Sequence, residues 1–258
     1  MEKITARNND KIKYAVRLSS SSAFRRENGE FFLEGARLCS DAAKTGVEVK
    51  RAFFTSSALE KYGEYISAVI SVCPEAYEIS AEVAERLSDT GSSQGVFCIC
   101  AEKPLSGAIK PDGKYIALEN IQDPSNLGAI CRTAEALGTD GLIVSGGCDI
   151  FNPKALRAAM GSSLRISITE TECLPSLIKK ANSDGMLTLA SVPARDADDI
   201  RLVDMPGGVI CCVGNEGNGL SKETVDACRR RVTIPMEGRA ESLNASVAAA
   251  ILAWELKR

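Results

Sequence analysis

The sequence predicts an α/β protein in two parts, a C-terminal parallel-sheet domain preceded by a small N-terminal α/β domain. Three observations carry this. Strand-like runs alternate with helix-like stretches through the second half, the pattern of a parallel sheet covered on both faces. Residues 103–114, KPLSGAIKPDGK, gather Pro, Gly and Lys between the apolar runs GVFCIC and YIALE, as a linker does. At 258 residues the chain is long enough for two domains of ordinary size, 1–102 and 115–258 on either side of that linker.

In the first domain EFFLEG, VKRAFFT, YEI and QGVFCIC read as strands, because β-branched and aromatic residues cluster there between turn residues. Helices are expected over 35–44, 59–72 and 81–87. In the second, strands at YIALE, GLIVS, LRISI, MLTLA, GVICCV and VTIP alternate with helices near Leu127, Pro153, Pro175, Ser221 and Asn244. No internal repeat interrupts this order.

Composition narrows the function. The formal charge is -3, from 31 basic and 34 acidic side chains, so the molecule as a whole does not attract a polyanion. Residues 1–26 differ: seven Lys or Arg stand against two acids, a local balance of +5 that suits phosphate contacts or simply a solvated basic end. There is no histidine, which removes histidine bases, histidine triads and histidine-ligated metals. The ten cysteines fall mostly in apolar runs such as Cys98-Ile99-Cys100 and Cys211-Cys212, without a CxxC pair, which reads as buried thiols in a reducing compartment and no metal. The polar start MEKITARNND lacks a signal core and no apolar run reaches membrane-spanning length, so a cytoplasmic protein without a membrane partner is expected.

Three segments share one grammar of apolar strand, polar loop and capped helix. In the first, IALENIQDPSNLGAICR, Ser125 or Asn126 can cap a helix that Leu127 begins and Gly138 ends. Leu127, Ile130, Cys131, Ala134 and Leu137 share one face. At about 100° per residue Arg132 lies roughly 140° from Leu127, so it reads either as a surface arginine or as a side chain turned toward an occupant of the loop. In the second, GNEGNGLS, the glycines let backbone approach a ligand and Ser221 caps the next helix, although neither GxGxxG nor GxxxxGK[ST] is present. Glu216 there is a solvated carboxylate or a group that orients a ligand. In the third, IPMEGRAESLNAS, Ser242 and Asn244 are helix caps or hold a ligand over exposed N–H groups. The helix that follows, ASVAAAILAWEL, is apolar enough to predict near-complete burial, centrally or in an oligomer interface.

Taken in order, these segments resemble the three motifs of the SpoU (TrmH-type) branch of the SPOUT RNA methyltransferases over most of 115–258. The resemblance implies a trefoil knot in the C-terminal domain, an exception to the rule against threaded chains. It implies S-adenosyl-L-methionine as cofactor, approached by Gly214, Ile234, Leu243 and Asn244, and a catalytic set of Asn126, Arg132, Glu216, Ser242 and Asn244. A homodimer through the C-terminal domain is implied as well. Upstream, FRRENGEFFLEGARL and the closing GSSQGVFCI resemble the substrate-binding domain of rRNA-directed members, making Arg25 and Arg26 candidate RNA contacts. The implied reaction is methylation of a ribose 2'-hydroxyl, with 23S-type rRNA favoured over tRNA. A non-catalytic RNA-binding protein on the same fold is the rival from another class, and a metabolic nucleotide-binding enzyme is a third, weakened by the missing phosphate-loop fingerprints.

Overall fold

The computed structural model describes residues 1–89, 91 and 93–258, so Ser92 of the closing GSSQGVFCI motif lies outside the described residues. The chain forms two compact units, Met1–Lys103 with Phe151–Leu164, and Pro104–Ile150 with Arg165–Arg258.

The first unit runs β1 (Glu2–Ile4), α1 (Asp10–Ser20), α2 (Ser22–Asn28), β2 (Glu30–Glu34), α3 (Ala36–Lys44), β3 (Val49–Thr55), α4 (Ser56–Lys61), α5 (Gly63–Ile70), β4 (Glu75–Ile79), α6 (Ala81–Leu87) and β5 (Val96–Ala101). Its sheet has the order β1-β4-β3-β5-β2, with β5 antiparallel to both neighbours and the others parallel. Ile12, Ala15 and Leu18 recur every three residues along α1, so one stripe of that helix is buried against Phe32, Phe53 and Phe97. The expected single helix over 59–72 is two helices: α4 is capped by Tyr62 and Gly63, a poor helix former, opens α5.

The second unit contains β6 (Lys114–Glu119), α7 (Pro124–Ala136) and β7 (Gly141–Ser145). α8 (Pro153–Ala159) belongs to the first unit. The second unit resumes with β8 (Ile168–Glu170), α9 (Leu174–Ser183), β9 (Leu187–Ser191), β10 (Asp198–Asp199), β11 (Val209–Val213), α10 (Lys222–Ala227), β12 (Arg230–Thr233) and α11 (Ala245–Lys257). Its seven strands, in the order β10-β12-β9-β11-β6-β7-β8, pair only in parallel. The expected parallel sheet is therefore present, and its central strands β6 and β11 are buried throughout except at Lys114, as strands covered on both faces must be.

Two expectations in this half are corrected. LRISI alternates like a strand, but Ser162–Leu164 form a 3₁₀ turn and the ladder with β7 begins only at Ile168. Helix α11 is buried along one face, Ala245, Ala249, Leu252, Ala253 and Leu256, while Val247 and Trp254 are 47% and 62% exposed. Near-complete burial therefore fails within the single chain.

Candidate active site

Because β6 and β11 are adjacent and parallel, with Leu118 opposite Val213, the segments leaving their carboxyl ends start side by side. Such ends are where parallel sheets bind ligands. Leaving β6, Asn120 takes a left-handed turn at φ 55°, and Asp123, rather than Ser125 or Asn126, caps α7 by accepting from Ser125 N. Pro124 fills the first helical position, where a missing N–H costs nothing. Asn126 is thereby freed from capping and sits inside the first turn, buried.

Its side chain joins the three predicted loops. Asn126 Nδ2 donates to Glu216 Oε1 at 2.9 Å, and Asn126 Oδ1 accepts from Asn244 Nδ2 at 3.1 Å. Glu216 also accepts from Gln122 N at 3.2 Å and Asp123 N at 3.3 Å. Burial pushes the Glu216 carboxyl up, but the Asn126 amide and the two backbone N–H groups outweigh it and hold the group below the usual carboxylate range. Asn244 caps α11 as expected, its Oδ1 accepting from Ser246 N and Val247 N.

Beside this line lies a cavity of about 390 Å³ at the carboxyl ends of β9, β11 and β12, within the range of small-molecule sites. Gly214, Glu216, Ile234, Ser242 and Leu243 line it. Its walls mix apolar side chains with the polar backbone of the 214–220 loop. Gly214 admits no side chain, since a Cβ there would stand 2.1 Å from the Gly219 carbonyl carbon. Asn244 falls between two lining residues, its carboxamide committed to the cap and to Asn126.

Arg132 and Arg25 stand apart from this cluster. Arg132 is exposed on the outer side of α7 and does not line the cavity, and among the described residues its guanidinium has no hydrogen-bond or ion-pair partner. Arg25 corrects its expectation: it is 2% exposed in the first unit, and Nη1 donates to Leu18 O at 2.6 Å, which ties the end of α1 to α2. A guanidinium so buried is structural and cannot reach a phosphate, whereas Arg26 is exposed. Six of the ten cysteines are buried, and burial pushes the Cys131 thiol of α7 up to about 12 and the Cys148 thiol up to about 11, which makes both poor nucleophiles.

Two residues escaped sequence reasoning. Glu119, at the last position of β6, is buried and accepts three hydrogen bonds from Ser221 and Thr224. Asn215 Nδ2 donates to Asn120 O at 2.8 Å. The available signal was a carboxylate ending an otherwise apolar strand, where a buried charge needs a reason.

Comparison with known proteins agrees with this geometry. The SpoU rRNA Methylase family profile matches residues 113–254, and the MRM3-like substrate binding domain matches residues 9–98. An uncharacterized tRNA/rRNA methyltransferase, slr1673 of Synechocystis sp., is 30% identical over 99% of this chain and 93% of its own. The 23S rRNA (guanosine(2553)-2'-O)-methyltransferase RlmP of Bacillus subtilis is 29% identical over the whole of both chains. The crystal structure of an AdoMet-bound rRNA methyltransferase from Sinorhizobium meliloti superposes with a TM-score of 0.86 at 28% identity, covering 99% of this chain and 97% of that one.

Proposed function

The chain belongs to the SpoU rRNA methylase family, and from that premise we propose that it transfers a methyl group from S-adenosylmethionine to a ribose 2'-hydroxyl of ribosomal RNA. The observation that carries the reading is the line Glu216, Asn126, Asn244, which fastens one residue from each of three loops beside a ligand-sized cavity.

The cavity fits the cofactor. Gly214, Ile234 and Leu243 offer backbone groups and apolar surface to it, and Asn244 fixes the neighbouring turn. When bound, S-adenosylmethionine supplies an electrophilic methyl group on a sulfonium sulfur. The protein's work is then to place the ribose oxygen in line with that carbon, which is worth about 7–11 kcal/mol when reacting atoms are held near attack distance. Asn126 and Ser242 shape the ribose subsite, and Glu216 keeps Asn126 in its orientation. Arginine stays charged throughout the accessible pH range, so Arg132 acts as a clamp on a phosphate next to the target ribose. Transfer to the ribose oxygen would break the methyl–sulfonium bond and release the neutral thioether, and the ribose proton would pass to that phosphate or to water.

Residues 1–102 serve as the RNA substrate-binding domain, a reading supported by the match over 9–98 and by exposed Arg26. The trefoil knot is supported by the path of the chain. From β12 it must return across the carboxyl ends of β9 and β11 to reach α11, which packs on α7 and β6. A homodimer through the C-terminal domain is supported by the exposed Val247 and Trp254 on α11 and by Leu202, 84% exposed on a turn packed against that helix. Among the described residues no helix is long and apolar enough to cross a membrane, and a cytoplasmic location is supported by the proposed action on ribosomal RNA.

The test is methyl transfer from labelled S-adenosylmethionine to unmodified rRNA, followed by mapping of the label. Label on a ribose 2'-oxygen of rRNA is expected. Label on tRNA alone, on a base, or on no RNA would refute the assignment.

A further inference from the structure

Glu119 is a buried carboxyl group for which the roles above give no use. It is 7% exposed, and among the described residues no cation pairs with it. Its Oε2 accepts from Ser221 N at 2.7 Å, and its Oε1 accepts from Ser221 Oγ at 2.8 Å and Thr224 Oγ1 at 2.6 Å. Burying a carboxylate is unfavourable unless several donors compensate it. All three donors here come from the point where the 214–220 loop runs into α10.

That loop is closed upon itself. Asn215 N donates to Gly219 O at 3.0 Å and Gly219 N donates back to Asn215 O at 2.9 Å. Asn215 Oδ1 accepts from Gly217 N at 2.8 Å and Asn218 N at 3.0 Å. A segment bonded in this way moves as one body, and its attachments set its orientation. One end is fixed by β11. The other is fixed by Ser221 on Glu119, while Asn215 and Glu216 tether its middle to Asn120 O and to the start of α7.

We infer that Glu119 is a positioning residue which holds the 214–220 loop as the wall of the cofactor cavity. The inference rests on reading that cavity as the S-adenosylmethionine site. Glu119 does not line the cavity, so any influence on bound cofactor must travel through the loop.

Glu119→Gln keeps the side-chain size but exchanges an acceptor for a donor facing Ser221 N or the two hydroxyls. Calorimetry with S-adenosylhomocysteine should show the dissociation constant raised about tenfold, equivalent to about 1.4 kcal/mol. The KM for S-adenosylmethionine should rise with it, and by more than the KM for RNA, because the loop lines the cofactor cavity directly and reaches the ribose subsite only through Glu216. A role in folding alone would lower the melting temperature and the active fraction without moving the cofactor KM. Thr224 is wholly buried and does not line the cavity. Thr224→Val, which removes one donor, should shift affinity in the same direction by less, and Thr224→Ser should restore it; this pair decides the matter if Glu119→Gln does not fold. Wild-type affinity in folded Glu119→Gln, or in Thr224→Val where the glutamine variant fails to fold, would overturn the inference alone. Wild-type protein that bound no S-adenosylhomocysteine would overturn the cofactor reading and this inference together.

Discussion

Asn126 Nδ2 donates to Glu216 Oε1 across 2.9 Å, joining residues 90 positions apart in the chain. The other end of the same carboxamide accepts from Asn244, 118 positions further on. One neighbour therefore demands a donor and the other an acceptor, and the side chain that supplies both at this length is asparagine. The orientation of its amide is fixed by its surroundings, which is what a site that must hold a ribose to a narrow line of attack requires.

Asn126→Asp should be more damaging than its size suggests. It would set a second carboxylate at hydrogen-bond distance from Glu216, and two such groups cannot both stay ionised without repulsion. Methyl transfer near neutral pH should fall at least ~10-fold, given that a lost hydrogen bond to a charged group costs about 1.5–3 kcal/mol. Part of the activity should return as pH is lowered and one of the pair takes a proton. A pH–rate profile parallel to wild type would contradict this role for the Asn126–Glu216 hydrogen bond.

Glu216 also makes a stability prediction with a definite sign. Its folded pKa lies below the ordinary carboxylate value, so its contribution is fully present above the unfolded value of about 4.3. That contribution is lost as pH falls through the lower, folded value. The melting-temperature gap between wild type and Glu216→Gln should be constant near neutral pH and close in acid. A gap that widened on acidification would show that the carboxyl is held above its ordinary value.

Much of this was legible in the sequence because strand periodicity and loop composition are local. The strands β6, β7, β9 and β11 were all visible as short apolar runs bounded by polar turns. The three loops were visible too, and so were the caps Ser221 and Asn244. What was not legible depends on long-range partners. Asn126 looked like a cap because Asx residues before an apolar run usually are, and only the presence of Glu216 across the sheet gives it another task. Arg25 and Arg26 are indistinguishable as letters, yet successive positions of α2 point about 100° apart, which turns one inward onto Leu18 O and leaves the other in solvent. Helix α11 reads as buried all round because its composition cannot say whether the second face meets this chain or another.

The two arginines should part company when substituted. Arg26→Ala should weaken RNA binding and reduce the dependence of log affinity on log salt by about one phosphate contact, with stability unchanged. Arg25→Ala should instead lower the melting temperature, at a cost of about 1.5–3 kcal/mol for hydrogen bonds to a buried charged group. Its salt slope should match wild type wherever the protein is folded. Equal salt slopes for Arg26→Ala and wild type would remove Arg26 from the RNA contact.

Arg132→Ala should abolish detectable methyl transfer while leaving S-adenosylhomocysteine affinity within about twofold, since Arg132 does not line the cavity and surface substitutions away from a site usually change free energies by under about 0.5 kcal/mol. Arg132→Lys keeps the charge but not the forked, bidentate geometry that suits phosphate, and should retain a small residual rate. Wild-type turnover in Arg132→Ala would exclude the clamp.

Trp254 offers the most direct reading of assembly, because it is the single tryptophan and stands 62% exposed on α11. Trp254 and Val247, both exposed on α11, together with Leu202 on the turn packed against that helix, offer apolar surface of the sort that covers itself in an interface. In a homodimer through this face, Trp254 emission should be blue-shifted and should move to the red on dilution as subunits part. Trp254→Glu would put a charge into the contact and should yield a monomer by light scattering, with methyl transfer reduced in step with dimer content. A wild-type protein that ran as a monomer at every concentration, with red-shifted emission throughout, would place this face outside any self-association.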